Sequence, residues 1–229
     1  LDTQKTQEKL PAGTGKIVIG PAGENLVKFA SVISEERVAA RGGGGAVMGS
    51  KNLKAVIAGG DQKVRVAHEE KFKNTCKKWR ELSRRHPATG EELPRYGTAA
   101  FVNKCNATYT LPTRNFRYGT FSEADAVSGE TLSEKCLVKN IGCRGCPVAC
   151  GRQVELNGKK IKGPEYETVG LLGPNIMNAD LSAIIEFNYQ ADLLGLDTIS
   201  LGNTLGFVME AGEKGLLITD LAFGKTNGI

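Results

Sequence analysis

Asn140-Ile141-Gly142-Cys143-Arg144-Gly145-Cys146-Pro147-Val148-Ala149-Cys150-Gly151-Arg152 carries three of the chain's six cysteines, spaced Cys-x2-Cys-x3-Cys. Each thiolate is a metal ligand, and spacing this short lets one loop wrap a single centre. Gly142, Gly145 and Gly151 supply tight backbone turns, and Pro147 fixes the chain direction after the second cysteine. An iron–sulfur centre, a structural zinc and a set of buried thiols are the readings open from these residues. Zinc needs a fourth ligand, and the two histidines, His68 and His86, lie far upstream and form no ligand pair. Cys76, Cys105 and Cys136 have no comparable context and read as structural.

Working outward, Ser128 can cap a helix over residues 129–138 that delivers the chain to the loop, with Cys136 on it. Beyond the loop, residues 153–161 read as a hairpin, because Asn157-Gly158 is the preferred two-residue turn. Gly163-Pro164-Glu165-Tyr166-Glu167-Thr168 then opens an apolar helix. Glu165 and Glu167 suit the positive end of that helix, and either can also move protons beside a metal centre. Asn178 or Asp180 can cap the next helix, which runs to about Leu194 and ends in Asp192-Leu193-Leu194-Gly195-Leu196-Asp197. Gly195 suits the left-handed residue after a helix, Leu196 its follow-up contact, and Asp197 or Thr198 a new cap. Asp192 fits less well, since a carboxylate in a last helical turn opposes the dipole. An acidic pair flanking a tight turn can instead accept hydrogen bonds from the amino groups of a heterocycle.

Residues 1–62 read as β-rich. Strands are expected at residues 16–20, 26–33 and 53–58, the first closed by a Gly20-Pro21 turn. Between them lies Arg41-Gly42-Gly43-Gly44-Gly45-Ala46-Val47-Met48-Gly49-Ser50-Lys51. Consecutive glycines present bare N–H groups, and Ala46-Val47-Met48 can open a helix, so the segment makes an anion nest with Arg41 as its charged partner. A plain glycine turn between strands is the alternative. Met48 breaks the dinucleotide fingerprint, and the Ser50-Lys51 order reverses the P-loop pair, so nucleoside triphosphates are discounted. From residue 63 the pattern turns helical. His68 to Arg85 spaces Phe72, Cys76, Trp79 and Leu82 as an amphipathic helix, with Cys76 and Trp79 its buried stripe. His86-Pro87 breaks it, residues 96–104 read as another helix, and the aromatics of the 111–119 loop are expected to seal the core.

The chain has 229 residues, 40% hydrophobic and 24% charged, an ordinary soluble composition. The formal charge of +5 comes from dispersed basic residues, which reads as solvated surface and not a nucleic-acid footprint. No apolar run reaches the roughly 18 residues that span a bilayer, so no membrane partner is expected. Clustered cysteines point to a reducing, cytoplasmic compartment. The start at Leu1 and the turn-like Thr226-Asn227-Gly228-Ile229 read as a segment of a longer protein.

Taken in order, Pro21-Ala22-Gly23-Glu24-Asn25-Leu26, the glycine run extended to Val56, the cysteine loop, the Gly163–Thr168 stretch and the Asp192–Asp197 turn resemble the tungsten-containing aldehyde:ferredoxin oxidoreductase family. The resemblance covers almost the whole chain. It implies an α+β fold: the C-terminal part of a β-rich pterin-binding domain over residues 1–62, then a mostly helical domain over 63–229 carrying the cluster loop. It implies a tungstopterin with bridging magnesium and a 4Fe-4S cluster. By it, Arg41, Gly42, Gly43 and Gly44 match pterin phosphate and magnesium contacts, and Asp192, Leu196 and Asp197 a pterin-ring motif. Cys143, Cys146 and Cys150 match three cluster ligands, the fourth coming from a later motif outside this sequence. Glu167, with Glu165 beside it, matches an acidic group near the tungsten. The implied reaction oxidises an aldehyde and passes electrons to ferredoxin or an electron-transfer subunit, in a homodimer or larger complex. An aromatic acyl-CoA ring reductase of the same family and a non-catalytic iron–sulfur or zinc module are the alternatives.

Overall fold

The computed structural model describes residues 1–62 and 64–224. Lys63, at the expected domain boundary, and the expected turn at residues 226–229 lie outside the described residues.

The chain opens with α1 (Thr3–Glu8), capped by Asp2, whose carboxylate accepts from the Lys5 N–H at 2.7 Å. Strand β1 (Gly15–Val18) follows. Gly20-Pro21 is the start of a helix and not a simple turn, because Pro21 takes the first position of α2 (Pro21–Glu24), where a missing N–H costs nothing. The expected strand at residues 26–33 shrinks to β2 (Val32–Ser34). Leu26 has φ 56°, and Val27 and Ala30 donate to Ala22 and Val27, so the chain curls before it extends. Strand β3 (Arg37–Ala39), α3 (Gly44–Ser50) and β4 (Ala55–Ala58) complete this part. The antiparallel sheet has the order β3-β2-β1-β4.

Helix α4 (Glu69–Arg85) forms as its periodicity demands, but none of its residues is buried. Its expected buried stripe is a correction: Trp79 is 47% exposed and Phe72 55%, because nothing among the described residues packs over that face. Trp79 is the chain's single tryptophan. In the 229-residue chain its fluorescence should therefore lie at the red, water-exposed end and be quenched by iodide. Blue-shifted emission protected from iodide would show that this face is covered.

His86 turns extended and ends α4, after which a π-turn (Ala88–Glu92), α5 (Leu93–Tyr96), a 3-10 turn (Thr98–Ala100) and α6 (Phe101–Ala107) follow. The 111–119 loop buries Leu111, yet Phe116 and Tyr118 are mostly exposed, again against expectation. Positive φ at Arg114, Asn115 and Phe116 makes a tight reversal closed by a Thr113–Tyr118 bridge, which swings these rings outward. Helix α7 (Gly129–Lys135) takes Ser128 as its cap but stops before residue 138. Cys136 is its C-cap, not a helical residue, since Leu137 already enters β5 (Leu137–Ile141), a strand the pattern did not reveal.

Strands β6 (Gly151–Leu156) and β7 (Lys159–Lys162) form the hairpin, with Asn157 at φ 50° and Gly158 at φ 77° as the type I′ turn requires. The sheet order is β5-β6-β7, antiparallel. Helices α8 (Tyr166–Leu172), α9 (Leu181–Leu194) and α10 (Thr198–Glu213) close the fold. Val102, Leu111, Leu132, Val154, Val169 and Ile184 form the centre of the core, and Cys105 and Cys136 pack against it.

One seam joins the two parts. Ser31 N–H donates to Gly195 O at 2.7 Å, Asp197 N–H to Phe29 O at 3.1 Å, and the Thr3 hydroxyl to Asp192 O at 2.7 Å. Gly20 sits so close that a Cβ there would lie 2.2 Å from Leu194 O.

Candidate functional site

A cleft of about 360 Å³ opens beside this seam, lined by Glu165, Glu167, Asp192, Leu196 and Asp197 together with Glu36 and Lys162. The turn between α9 and α10 shapes one wall. Gly195 adopts φ 74°, and Leu196 N–H returns to Ala191 O at 2.8 Å. Asp197 is 1% exposed and works as the α10 cap: its oxygens accept from the Ile199 and Ser200 N–H groups, both at 3.2 Å, and from the Ser200 hydroxyl. Arg41 Nη1 stands 3.5 Å from Asp197 Oδ2, which ties the glycine run to this turn. Thus Asp197 does the local job that its position suggests and anchors Arg41 as well.

Asp192 faces Lys162 Nζ at 3.5 Å. Burial pushes its carboxyl up, and Lys162 opposes that shift. The folded chain thus holds the Asp192 proton more tightly than the unfolded chain does. The stability it contributes is present at low pH and is lost as pH rises through the raised value. Lys162 was not singled out from sequence. Strand alternation is the signal for it: Ile161 is buried on one face of β7, so its neighbours Lys160 and Lys162 share the other.

The glycine run adopts a shape that other residues resist. Gly42 has φ 107° and Gly43 φ 70°, and a Cβ on Gly43 would meet Lys28 O at 2.5 Å. The N–H groups of Gly42, Gly43 and Gly44 find no backbone acceptor among the described residues, while Gly45 donates to Ala30 O at 2.9 Å. That is a cradle of donors next to Arg41.

The two glutamates differ. Glu165 precedes α8, and its Oε2 accepts from the Thr98 hydroxyl at 2.6 Å, while Thr98 Oγ1 accepts from Tyr166 N–H at 2.9 Å. Glu167 is exposed on the cleft wall, and its carboxylate has no hydrogen bond or ion pair among the described residues.

The cysteine loop spans residues 142–150 between β5 and β6, its ends held by the Ile141–Gly151 pair. Positive φ at Gly145 and Ala149 bends it, and Cys146 N–H donates to Cys143 O at 3.0 Å. Cys143 is exposed, Cys146 and Cys150 are half-buried, and all are free thiols. Burial pushes the Cys150 thiol up, with Glu165, Cys146 and Cys143 adding to it. Glu165 links cleft and loop: it lines the first, and its partner Thr98 follows Gly97, which lies against Cys150 O.

A profile described as "Aldehyde ferredoxin oxidoreductase, N-terminal domain" matches residues 1–60, and one described as "Aldehyde ferredoxin oxidoreductase, domains 2 & 3" matches residues 74–229. The chain belongs to the aldehyde ferredoxin oxidoreductase family. It is 47% identical over 204 residues to the tungsten-containing aldehyde ferredoxin oxidoreductase of Thermococcus kodakarensis, covering 88% of this chain and 34% of that protein. The enzyme of the same name from Pyrococcus horikoshii is 49% identical over 201 residues, covering 87% and 33%. An aliphatic sulfonate oxidoreductase WOR-like subunit of Pyrococcus furiosus is 34% identical over 233 residues, covering 96% and 36%. Among solved structures, the active site complex BamBC of benzoyl coenzyme A reductase with 1,5-dienoyl-CoA matches with a TM-score of 0.70 at 25% identity, covering 94% of this chain and 34% of that one. The chain spans about a third of the length of these relatives.

The α+β expectation agrees with aldehyde ferredoxin oxidoreductase membership, with one small sheet first and a second set among the helices that follow. The relatives are oxidoreductases by name, and no helix among the described residues is long and apolar enough to cross a membrane. The donor chemistry of the cysteine loop, three thiols on one reversing segment, fits the iron–sulfur centre implied for the family. The thiols are not drawn together beforehand: no three Cys, His, Asp or Glu side chains among the described residues already converge as a metal site. The glycine cradle and the acidic turn likewise fit a phosphate-bearing heterocycle.

Proposed function

We propose that this chain serves a tungstopterin oxidoreductase that converts an aldehyde to a carboxylic acid and passes the electrons through a 4Fe-4S cluster to ferredoxin or an electron-transfer subunit. One observation carries this: Glu165 lines the cleft that gathers Glu167, Asp192 and Asp197 and accepts from the Thr98 hydroxyl, and the adjacent Gly97 lies against Cys150 O, so the acidic cleft and the thiol loop are neighbours. In this reading residues 1–62 contribute the pterin-binding β part and residues 63–229 the helical part with the cluster loop.

When bound, the metal cofactors supply the electron chemistry. The N–H groups of Gly42, Gly43 and Gly44, with Arg41, would hold the cofactor phosphate, and magnesium would be held through the phosphate oxygens. Asp192, with Lys162 beside it, and the Leu196 backbone would present acceptors to the ring amino groups. Asp197 acts through structure, because its oxygens are spent on the α10 cap and Arg41. Aldehyde and water give acid, two protons and two electrons. Glu167 Oε takes a proton from the water as it adds to the carbonyl, since its carboxylate is free where Glu165 is engaged. Cys143, Cys146 and Cys150 would hold the cluster as thiolate ligands.

The BamBC likeness supports a second reading, reduction of an aromatic acyl-CoA ring in a larger complex. Identity of 47% to an aldehyde enzyme against 25% to the reductase supports taking the aldehyde reaction as the first reading. Elemental analysis of the anaerobically purified full-length protein tests the assignment. Tungsten, iron and sulfide are expected together. Arg41→Ala should lower pterin and tungsten while iron stays, and Cys146→Ser should lower iron. Zinc alone, or pterin unchanged in both Arg41→Ala and Asp192→Asn, would remove it.

A further inference from the structure

Arg152 lies on β6, two residues after Cys150, and is 2% exposed. Its guanidinium is fully engaged. Nη1 donates to Pro94 O at 3.0 Å, Arg95 O at 3.3 Å and Asn140 Oδ1 at 2.5 Å. Nη2 donates to Leu93 O at 2.7 Å and Ala149 O at 3.2 Å, and Nε to Cys150 O at 3.3 Å. The fork thereby ties both ends of the cysteine loop to α5. Gly97 makes room for it, since a Cβ there would sit 2.8 Å from Nε and 2.9 Å from Cys150 O.

Every one of these acceptors is a neutral amide or carbonyl oxygen. No carboxylate forms an ion pair with Arg152 among the described residues. Arginine stays charged in proteins, and a buried charge without a counter-charge is costly. The fold thus buries a permanent cation against the backbone of the thiol loop and provides no paired carboxylate for it.

We propose that Arg152 is the resident counter-cation of the cysteine loop: its fork fixes the ends of the loop, and its charge favours the reduced, more negative state of the centre held by Cys143, Cys146 and Cys150. This rests on the cluster reading above. A thiolate-held cluster gains one negative charge on accepting an electron, so a nearby fixed cation raises its reduction potential. Arg152 is a positioning residue, and the potential separates this role from a purely structural knot, which needs only the hydrogen bonds.

The test is an anaerobic redox titration of the full-length protein, following the cluster by electron paramagnetic resonance with iron and sulfide assayed in parallel. Arg152→Gln removes the charge. Asn140→Asp keeps an acceptor for Nη1 and adds a counter-charge, though it gives up the Nδ2 bond to Pro94 O at 2.6 Å, and serves if Arg152→Gln does not fold. Both should lower the reduced-to-oxidised ratio at a fixed potential about tenfold, a midpoint shift of about 59 mV for one electron. Arg152→Lys, which keeps the charge, should shift less than half as far. An unmoved midpoint in Asn140→Asp at native iron and sulfide overturns the proposal. So does an Arg152→Lys shift as large as that of Arg152→Gln. A native protein that holds no iron and sulfide overturns the cluster reading itself, and the proposal with it.

Discussion

Gly20→Ala is expected to unfold the protein at lower denaturant and to strip its cofactor. Gly20 has φ −92° and ψ −173°, extended backbone that alanine adopts freely, so the cost is steric alone. The new methyl would stand 2.2 Å from Leu194 O, 2.4 Å from Leu194 C and 2.8 Å from Gly195 N. All three are backbone atoms in a turn that already holds Gly195 at φ 74°, so no side chain can rotate away. Overpacking of this kind costs about 1–3 kcal/mol, and contact with immobile backbone places this case near about 3 kcal/mol. The relief available is a shift of the α9–α10 turn, which moves Asp192 and Leu196 within the cleft. Urea unfolding with parallel pterin assay of the full-length protein checks both effects. Gly60→Ala is the control, with nothing within 4 Å of its Cβ and an expected change below about 0.5 kcal/mol. An unchanged midpoint in Gly20→Ala would show that the seam is not this tight.

Glu167→Gln should lower kcat for aldehyde oxidation by about 10²–10⁴-fold while tungsten, pterin and iron content stay at native levels. The glutamine keeps size and polarity but cannot take a proton. Glu165→Gln should behave differently. Its side chain receives the Thr98 hydroxyl at 2.6 Å, a bond an amide oxygen can still accept, so the loss in rate should be tenfold or less. The engaged Glu165 supports the order that the family resemblance implied, Glu167 first and Glu165 beside it. Equal losses for the two variants, or a Glu167→Gln enzyme at native rate, would remove Glu167 as the proton acceptor. Rate and cofactor content must be read together, because a variant that loses tungsten reports nothing about proton transfer.

Local chemistry was the legible part of the sequence. The caps at Ser128, Asp180 and Asp197, the Asn157-Gly158 hairpin and the left-handed Gly195 follow from side-chain donors, acceptors and allowed φ over a few residues, and all stand as read. Where partners are distant, the pattern misled. Residues 26–31 have strand composition, but Ser31 bonds to Gly195 and Asp197 to Phe29, so tertiary pairing overrides propensity there. The apolar spacing of α4 established a helix but could not say what covers it. Strand β5 hid because its neighbour β6 lies across the cysteine loop, and Arg152 because nothing local distinguishes a buried cation from a solvated one, whereas Lys162 left only the strand alternation around Ile161 as its signal. The five cleft residues named from sequence do line one cleft, and Arg41 reaches it through Asp197.

The seam also has a consequence for how the molecule is made. The Thr3 hydroxyl meets Asp192 O across 189 residues of sequence, and contacts of such separation form late because the chain must first close a very long loop. During synthesis the first sheet can pair its strands as soon as β4 has emerged, well before α9 exists. Through that interval the glycine cradle has no opposing wall. A phosphate-bearing ligand would meet only half of its binding surface on the nascent chain. In the proposed reading, tight capture of the cofactor therefore waits until the α9–α10 turn has been translated and folded onto the sheet.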